Sequence, residues 1–559
     1  MSNQDEPSVN VIHDIKSYAP FIRAGPGEYS DILNSKSTSQ SPIVVGFWRV
    51  DNFTGGTEAF EAEYDEVKYI LSASELTATS GESTWKDGRS GRVFQANAGS
   101  AVWLPKGSQT ILMSSKDLKV LYVEQTYRQV IPLPIFDPAW SRRLDHLYDR
   151  TLNDYCVRNK ASQDRFSRAL EHMPGGNTRS VLHYDPFPMA LVSGRDCFVT
   201  SADGVEYVDF VSEFSAAFFG HSNPTIMEAI KQSMSQGMNL GGPGEAEIEL
   251  ARHIKSRFRS IEKLRFCNSG SEANTMALAL ATAVTKRRKI VAFQNGYHGG
   301  FISFGNAPST TTIPHEFLLG RFNDIEHAKT LISDEVAAII VEPVQAAGGC
   351  VVGTADFLRY LREAATKCGA ILIFDEVVTS RLHINGLQGK YGIYPDMTTI
   401  GKYVGGGLSF GAFGGRADIM DALDPRTGFI AHSGTYNNNV FSMAAGVAAA
   451  KLLTQESIER ANSLGDSLRN GINSYQKDFI QASGIGSMIG LHFLGPAAAK
   501  LRDALFFYML GKQVYIGKRG FLSLSLAHEP EHIQRFLDEF AGFIDQVFGD
   551  GNPVDGPRI

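Results

Sequence analysis

Three short segments in the second half of the sequence carry residue types that could do chemistry together. Asn268–Glu272 follows an apolar β run and opens a long helical pattern, which puts small residues at a helix N-terminus where free N–H groups attract phosphate. Asp375 ends a second apolar run, and an acid there faces the ligand crevice of a parallel sheet. Lys402 precedes a glycine-rich turn, where its amine could be desolvated and form a Schiff base.

Each segment also has a purely structural interpretation: a capped helix, a salt bridge and a surface loop, respectively. Their combination, however, meets the requirements of one cofactor, pyridoxal phosphate (PLP). This cofactor needs a phosphate site, a carboxylate that keeps its ring nitrogen protonated, and a lysine that forms an imine with its aldehyde. Tyr297 could stack on the ring, and Thr435 offers a further hydroxyl for the phosphate. We therefore predict a PLP enzyme.

Residues 173–526 resemble a class III aminotransferase of PLP fold type I, in the branch of glutamate-1-semialdehyde aminomutase. The resemblance implies that Lys402 carries the internal aldimine and moves the proton, and that Asp375 pairs with the pyridine nitrogen. It also implies that Tyr297 stacks on the ring and that Thr435 reaches the phosphate from the second subunit of a homodimer. The implied cofactor contacts are Ser269, Gly270, Ser271, Tyr297, His298, Glu342, Asp375, Val377, Lys402 and Thr435.

Departures from the family pattern narrow the expected substrate. Ornithine- and GABA-type members carry a glutamate that gates an arginine, and the corresponding segment Glu342–Ala347 lacks it. They also carry a glutamine where this chain has Val378. Longer shared segments resemble the bacterial (S)-β-phenylalanine, or β-amino acid, aminotransferases. These segments are Pro174–Leu182, Thr379–Leu382, Thr399–Lys402, Ser409–Asp418, Asp424–Gly428, His432–Thr435 and Asn437–Asn439.

Two arginines are implied to bind the carboxylates of two different substrates. Arg179 matches the family arginine that holds the carboxylate of a β-amino acid, and Arg519 matches the one that holds the α-carboxylate of 2-oxoglutarate. The match of Arg519 departs from the family pattern because Lys518 replaces a proline. A planar guanidinium suits bidentate carboxylate binding, although either arginine could instead form a surface ion pair.

The expected reaction is a ping-pong transfer of an amino group from a β-amino acid, or a related amine, to a keto acid, expected to be 2-oxoglutarate. A PLP-dependent aminomutase, racemase or epimerase is the first alternative, since it would need no keto-acid acceptor. A non-catalytic binding protein is the second, but the joint presence of Lys402 and Asp375 argues against it. The aromatic residues Phe214, Phe218 and Phe219 could line an apolar substrate pocket or belong to the core.

The elements that must position these residues form two patterns. Residues 1–130, with an ordered core at about 42–130, show short apolar runs between turn residues, which predicts an all-β barrel or sandwich. Residues 131–172 are typical of a proline-rich linker followed by helices. In residues 173–548 apolar β runs such as Val336–Val341 alternate with helical patterns at Glu245–Phe258, Glu272–Val284 and Asp356–Cys368. This alternation predicts an α/β fold with a mostly parallel sheet covered by helices.

The resemblance divides this α/β part further. It implies a large PLP domain at about 230–435 and a smaller α+β domain built from the flanking segments. The last residues, 549–559, are rich in glycine and proline and are expected to form a flexible tail.

The N-terminal pattern resembles a cupin barrel without its metal ligands. The segments around Glu66 and Gly99–Gly107 match the two cupin motifs. Aligned on Glu66, however, the remaining metal-binding positions hold Phe60, Ala62 and Thr110, and one carboxylate cannot build a transition-metal site. We therefore expect no bound metal, and a docking, dimer-stabilising or lid role for this part.

Composition excludes several other classes of protein. The chain has 559 residues, enough for two or more domains, and 43% of them are hydrophobic. A net charge of −7 offers nothing to attract a nucleic-acid backbone. No apolar run approaches the roughly 18 residues of a membrane span, and no secretory signal is visible. Five scattered cysteines without a Cys-x-x-Cys pair suit a reducing, cytoplasmic location.

Overall fold

The chain divides into two compact units in the computed structural model. One unit consists of residues 1–136 with 494–498, and the other of residues 137–493 with 499–559. The structure describes residues 138–549 apart from 239, 306–307 and 476–477, and within residues 22–125 it describes the backbone of the strands. The linker predicted before residue 138 and the tail predicted after residue 549 lie outside the described residues.

The described part of the N-terminal unit is made of strands that pair antiparallel in two sheets. The strands are β1 (Ile22–Ala24), β2 (Gly27–Asn34), β3 (Ile43–Val50), β4 (Phe53–Thr54), β5 (Phe60–Glu61), β6 (Glu66–Ile70), β7 (Glu82–Asp87), β8 (Val93–Asn97), β9 (Ala101–Leu104), β10 (Gln109–Lys116) and β11 (Leu118–Gln125). One sheet has the order β1-β2-β3-β11-β6-β9, and the other has the order β4-β10-β7-β8 with β5 also on β10. The register places Thr110 opposite Phe60.

The second unit alternates strands and helices. Its strands are β12 (Leu191–Arg195), β13 (Phe198–Ser201), β14 (Glu206–Asp209), β15 (Lys263–Cys267), β16 (Lys289–Phe293), β17 (Glu316–Gly320), β18 (Val336–Val341), β19 (Val344–Gln345), β20 (Val351–Val352), β21 (Ile371–Asp375), β22 (Met397–Gly401), β23 (Gly411–Gly415), β24 (Ile480–Ile485), β25 (Met488–Phe493), β26 (Val514–Tyr515) and β27 (Phe521–Ser523).

The first helix of this unit begins at Pro138, directly after residues 126–137, which the structure does not describe. The helices are α1 (Pro138–Arg158), α2 (Lys160–Leu170), α3 (Pro224–Ser235), α4 (Glu245–Arg257), α5 (Gly270–Thr285), α6 (Ile325–Leu331), α7 (Ala355–Cys368), α8 (Gly386–Tyr391), α9 (Ala417–Met420), α10 (Val440–Leu452), α11 (Gln455–Asn473), α12 (Ala498–Gly511) and α13 (Pro530–Phe548). A separate four-residue turn covers Ser212–Ser215, and short 3₁₀ turns cover Pro174–Gly176, Ser180–Leu182, Thr379–Arg381, Lys402–Gly405 and Asp421–Leu423.

A seven-stranded sheet forms the centre of this unit, in the order β15-β23-β22-β21-β18-β16-β17. All neighbouring strands from β22 to β17 pair parallel, whereas β23 runs antiparallel to both β15 and β22. The prediction of a mostly parallel sheet is therefore confirmed. The carboxyl ends of β15, β21 and β22 lie at one edge of the sheet, where the segments that follow them can meet.

Alternate residues of the central strands bury their side chains on opposite faces. On one face Ile340 and Ile373 pack with Ala277 and Leu278 of α5. On the other face Ile339, Val341 and Leu372 pack with residues of α7 such as Phe357 and Leu361. Because both faces are covered, β18 is apolar along its whole length, which is why its bounds could be predicted to the residue.

Segments far apart in the sequence complete the smaller sheets. β26 pairs parallel with β14 in a four-stranded sheet, and β24, β25 and β27 form a three-stranded antiparallel sheet. The helices predicted at Glu245–Phe258, Glu272–Val284 and Asp356–Cys368 are confirmed as α4, α5 and α7 within two residues at each end. Within the described residues, the helices are all too short or too polar to cross a membrane.

The packing of the central sheet predicts a large loss of stability when one buried isoleucine is truncated to alanine. Ile340→Ala should lower the free energy of unfolding by about 2–5 kcal/mol, because it opens a cavity between β18 and α5. Val192→Ala is the control, since Val192 is 67% exposed on β12 and its truncation should change stability by less than about 0.5 kcal/mol. Urea titration followed by circular dichroism measures both, and equal midpoints would contradict the closed packing.

Candidate active site

The N-terminus of α5 is suited to hold a phosphate group. Ser269 is the N-cap, and its hydroxyl accepts a hydrogen bond from the N–H of Glu272 at 3.2 Å. The Glu272 carboxylate accepts one from the N–H of Asn268 at 2.9 Å. The N–H groups of Gly270 and Ser271 belong to the first turn, where the helix supplies no acceptor, so they can bind an anion. The structure therefore confirms the helix cap, and the same turn leaves two N–H groups that could hold a phosphate.

Close contacts around this turn depend on two glycines. Gly299 has a φ of +120°, and a Cβ there would lie 2.2 Å from the hydroxyl oxygen of Ser271. A Cβ on Gly270 would lie 2.8 Å from a methyl group of Val377. The segments that follow β15, β16 and β21 therefore meet at one point, and Val377 packs against the start of α5.

Asp375 ends β21 inside the protein, with 4% of its surface exposed. Its Oδ2 accepts hydrogen bonds from Nδ1 of His298 at 2.9 Å and from Nδ2 of Asn274 at 2.8 Å. Its Oδ1 accepts one from the N–H of Val377 at 3.0 Å. A carboxylate has about four acceptor positions, so these three donors fix its plane and leave Oδ1 able to accept from a further donor.

Asn274 and Thr399 hold this arrangement, and sequence reasoning missed both. The amide of Asn274 donates to Asp375 and to the carbonyl of His298 at 3.0 Å, and its Oδ1 accepts from the Thr399 hydroxyl at 2.6 Å. Rotation of this buried amide would break all three hydrogen bonds, so its NH2 group stays directed at Asp375. A polar residue among the inward-facing Ala and Leu positions of α5 is the pattern that could have identified it.

Glu342 supports the segment that carries Tyr297. Its carboxylate accepts hydrogen bonds from the N–H of Tyr297 at 2.8 Å and from the N–H of Ala346 at 3.2 Å. Burial raises the pKa of Glu342 to about 7, and the charge of Asp375 adds to this effect. The side chain of Tyr297 itself is half exposed, as a residue that covers one face of a ligand ring would be.

Lys402 stands directly after β22 with a φ of +54°, a strained conformation for a residue with a side chain. Its Nζ donates a hydrogen bond to the carbonyl of Phe214 at 2.5 Å. Burial lowers the pKa of Lys402 to about 8, although the charges of Asp375 and Glu342 oppose the shift. The amine is therefore neutral at mildly alkaline pH, which is the form that attacks an aldehyde.

Arg179 lies beside Phe214, the residue whose carbonyl Lys402 contacts. Its guanidinium is 5.9 Å from the centre of the Phe214 ring, and its Nη1 donates to Oε1 of Glu213 at 2.6 Å. The carbonyl of Phe214 is the one that Lys402 contacts. Phe214 therefore links the predicted carboxylate-binding arginine to the predicted imine-forming lysine. Of the three phenylalanines that could line a pocket or belong to the core, Phe218 and Phe219 belong to the core.

Arg519 lies exposed in the turn between Gly517 and Gly520. Lys518, the residue that replaces the family's proline, forms an ion pair with Asp503 and lies 5.2 Å from the Phe506 ring. Burial lowers the pKa of this lysine. The substitution thus anchors the turn and leaves the neighbouring arginine free to face solvent.

Two further contacts connect the predicted site residues to the rest of the site. Phe521, after the turn that carries Arg519, stacks on Phe214 with 6.2 Å between ring centres. Thr435 is exposed in the loop before α10. Two residues later, Oδ1 of Asn437 accepts from Nδ2 of Asn268 at 3.0 Å, so this loop is attached to the start of α5.

Comparison with known proteins identifies the family. The model of the class III aminotransferases matches residues 181–543, which contain the sheet edge with Asp375 and Lys402. This chain belongs to the class III aminotransferases. One relative is the β-phenylalanine transaminase of Variovorax paradoxus, which is 47% identical over 69% of this chain and 93% of the relative. Another is the glutamate-1-semialdehyde 2,1-aminomutase of Desulforudis audaxviator, which is 36% identical over 67% of this chain and 96% of the relative.

Among solved structures, a β-phenylalanine aminotransferase from Variovorax paradoxus matches with a TM-score of 0.70 and 45% identity, over 72% of this chain and 97% of that chain. The α/β part of this aminotransferase therefore has PLP fold type I, and the chain is a PLP-dependent transaminase that acts on amine and keto acid substrates.

The residues of the site fit the cofactor: a helix end for phosphate, a remaining acceptor on Asp375 and a desolvated amine on Lys402. When bound, PLP supplies an aldehyde that receives the amino group and a ring that withdraws electrons.

The contact between Gly299 and Ser271 predicts a sharp effect on cofactor binding. Gly299→Ala should weaken PLP binding by about tenfold or more, because the new methyl group would displace the start of α5. Gly300→Ala is the matched control, since a Cβ there meets nothing within 4 Å. Titration of both apoenzymes with PLP gives the two dissociation constants. Equal constants would contradict the placement of the phosphate at this turn.

The lowered pKa of Lys402 predicts how the apoenzyme takes up its cofactor. The rate of imine formation should rise about tenfold per pH unit up to about pH 8 and then level off, since the neutral amine reacts. Stopped-flow absorbance measures this rate through the spectral shift that accompanies imine formation, and Lys402→Ala should show no such shift at any pH. A rate that continued to rise to pH 10.5, the ordinary pKa of lysine, would show that the amine is not desolvated.

Proposed function

We propose that this aminotransferase moves the amino group of a β-amino acid such as β-phenylalanine, or of a related amine, to 2-oxoglutarate in a ping-pong cycle. The observation that carries the proposal is the link from Arg179 through Phe214 to Lys402. An amino acid substrate requires a carboxylate-binding group near the reacting amine, and this link supports that role for Arg179. The identity of 47% with a protein named β-phenylalanine transaminase supports a β-amino acid as the donor.

Two residues would carry the proton chemistry. Lys402 takes the proton from the amine-bearing carbon of the substrate, and its lowered pKa lets it act as a base near neutral pH. Asp375 accepts a hydrogen bond from the protonated pyridine nitrogen, while His298 and Asn274 hold its carboxylate in place. Tyr297 stacks on the cofactor ring.

The remaining residues would bind rather than react. The N–H groups at the start of α5 hold the phosphate, and Val377 and Glu342 support the segments that surround the ring. The cofactor contacts we propose are therefore Ser269, Gly270, Ser271, Tyr297, His298, Glu342, Asp375, Val377, Lys402 and Thr435.

Two arginines would serve the two half-reactions. Arg179 binds the carboxylate of the amine donor, and Arg519 binds the α-carboxylate of 2-oxoglutarate. The exposure of Arg519 on an anchored turn supports its role, since a guanidinium facing solvent is available to a charged substrate. Two substrates of different shape must react in turn at the same lysine. A separate arginine for each substrate lets its reacting carbon be positioned at Lys402.

An aminomutase of the same fold is the alternative function. Its support is the identity of 36% with a glutamate-1-semialdehyde 2,1-aminomutase, which spans 96% of that protein. Such an enzyme would complete its cycle on one substrate without a keto-acid acceptor. The higher identity to the transaminase favours transamination.

We further propose a homodimer in which Thr435 reaches the phosphate of the second subunit. Large apolar side chains are exposed in the segments that carry Tyr297 and Thr435, namely Tyr297, Phe301, Phe429 and Tyr436. Exposed apolar groups of this size are typical of a surface that a partner covers.

For the N-terminal unit we propose a metal-free cupin-like barrel at about residues 42–130, followed by a linker and helices at 131–172 and the aminotransferase at 173–548. Two antiparallel sheets support the barrel, and the register that places Thr110 opposite Phe60 brings two of the substituted ligand positions together. A docking, dimer-stabilising or lid role fits a unit without metal ligands.

Five unpaired cysteines support a cytoplasmic location.

Substrate specificity is tested with a panel of amine donors and 2-oxoglutarate, including both enantiomers of β-phenylalanine. We expect turnover with one enantiomer, and Arg179→Gln should raise its KM by about a hundredfold because a charge-assisted pair is lost. Arg195→Gln, at another exposed arginine, is the control. Activity with α-amino acids alone would contradict the β-amino acid proposal. Sustained turnover without a keto acid would identify an aminomutase.

A further inference from the structure

Arg179 already has a negatively charged partner within the chain. Its Nη1 lies 2.6 Å from Oε1 of Glu213, and their side chains are 44% and 52% exposed. When the Glu213 side chain moves away, a substrate carboxylate can accept two hydrogen bonds from this guanidinium. Because exposed ion pairs contribute little to stability, a substrate can displace Glu213 at low cost.

The turn that carries Glu213 is held in an unusual conformation. Ser212, Glu213, Phe214 and Ser215 have φ values of +48°, +49°, +51° and +76°. Side chains disfavour this region, so four such residues in succession need neighbours that hold them. The carboxylate of Asp209 accepts from the N–H of Ser212 at 3.1 Å, and the Ser212 hydroxyl donates to a backbone carbonyl at 2.8 Å. This turn directs Glu213 at Arg179.

The same turn lies against the reacting lysine. The carbonyl of Phe214, the next residue, accepts the hydrogen bond of Lys402. Glu213 also lines a cavity of about 220 Å³, together with Ala216, His221 and Gly407. The cavity gives the displaced carboxylate a place to move without disturbing the turn.

From this geometry we propose that Glu213 is a specificity-determining counter-ion that lets the site accept two classes of amine. The inference rests on the proposed role of Arg179 as the carboxylate-binding residue. A donor with a carboxylate replaces Glu213 on the guanidinium. A donor without a carboxylate, such as an arylalkylamine, leaves the pair intact, and Glu213 cancels a positive charge that would repel the donor's ammonium group.

The two classes of donor should respond oppositely to removal of the charge of Glu213. In Glu213→Gln the KM for β-phenylalanine should fall about threefold, because nothing competes for Arg179, and the KM for 1-phenylethylamine should rise about threefold. The ratio of the two specificity constants should therefore change about tenfold. Glu213→Asp, which keeps the charge, should restore most of the wild-type ratio, whereas a purely structural role would make the two variants alike.

Binding of 3-phenylpropionate, a carboxylate without an amine, separates this inference from the proposed function. Calorimetry on the holoenzyme should show tighter binding to Glu213→Gln than to the wild type, and no difference between Arg179→Gln and the double variant Arg179→Gln/Glu213→Gln. Glu335→Gln, which breaks a remote pair with Lys289, is the control and should change nothing. If 3-phenylpropionate binds more tightly but β-phenylalanine is not a donor, the counter-ion role stands and the proposed donor is wrong. Unchanged binding in Glu213→Gln overturns the counter-ion role.

Discussion

An ionised carboxylate inside an apolar sheet must be surrounded by donors, and Asp375 is the residue on which the rest of the site depends. Its three hydrogen-bond donors come from α5, from the segment after β16 and from its own turn after β21. An unpaired charge at this depth would cost several kcal/mol, so these segments must converge before the site can exist. The same convergence brings the start of α5 against Gly299 and Val377, which forms the turn that we propose to bind the phosphate.

Burial acts in opposite directions on Lys402 and Glu342, two ionisable groups whose charges interact with that of Asp375. It lowers the pKa of Lys402 to about 8 and raises that of Glu342 to about 7. Both groups therefore change charge near neutral pH, which suits the proton transfer that we propose for Lys402. The strained backbone of Lys402 is held by the glycine-rich turn and by its hydrogen bond to Phe214.

The cofactor side and the substrate side of the site differ in rigidity. Around Asp375 the polar groups are buried, and each orientation is fixed by a partner, as the amide of Asn274 shows. Around Arg179 the charges are half exposed, and the ion pair with Glu213 can exchange. Such a division suits an enzyme that keeps one cofactor and alternates between two substrates. The contacts that can exchange are then confined to the groups that contact the substrates.

The sequence by itself determined the chemistry and most of the element order. Lys402, Asp375 and the start of α5 could be proposed as site residues because a strand end, a helix start and a glycine-rich turn are local patterns. The apolar run of β18 predicted its bounds to the residue. Only the tertiary structure decided which side chains support Asp375, since Asn274 lies 101 residues away from it. It also decided that Phe218 and Phe219 belong to the core. Local periodicity records which face of an element is buried, whereas hydrogen bonds and ion pairs depend on how distant segments pack.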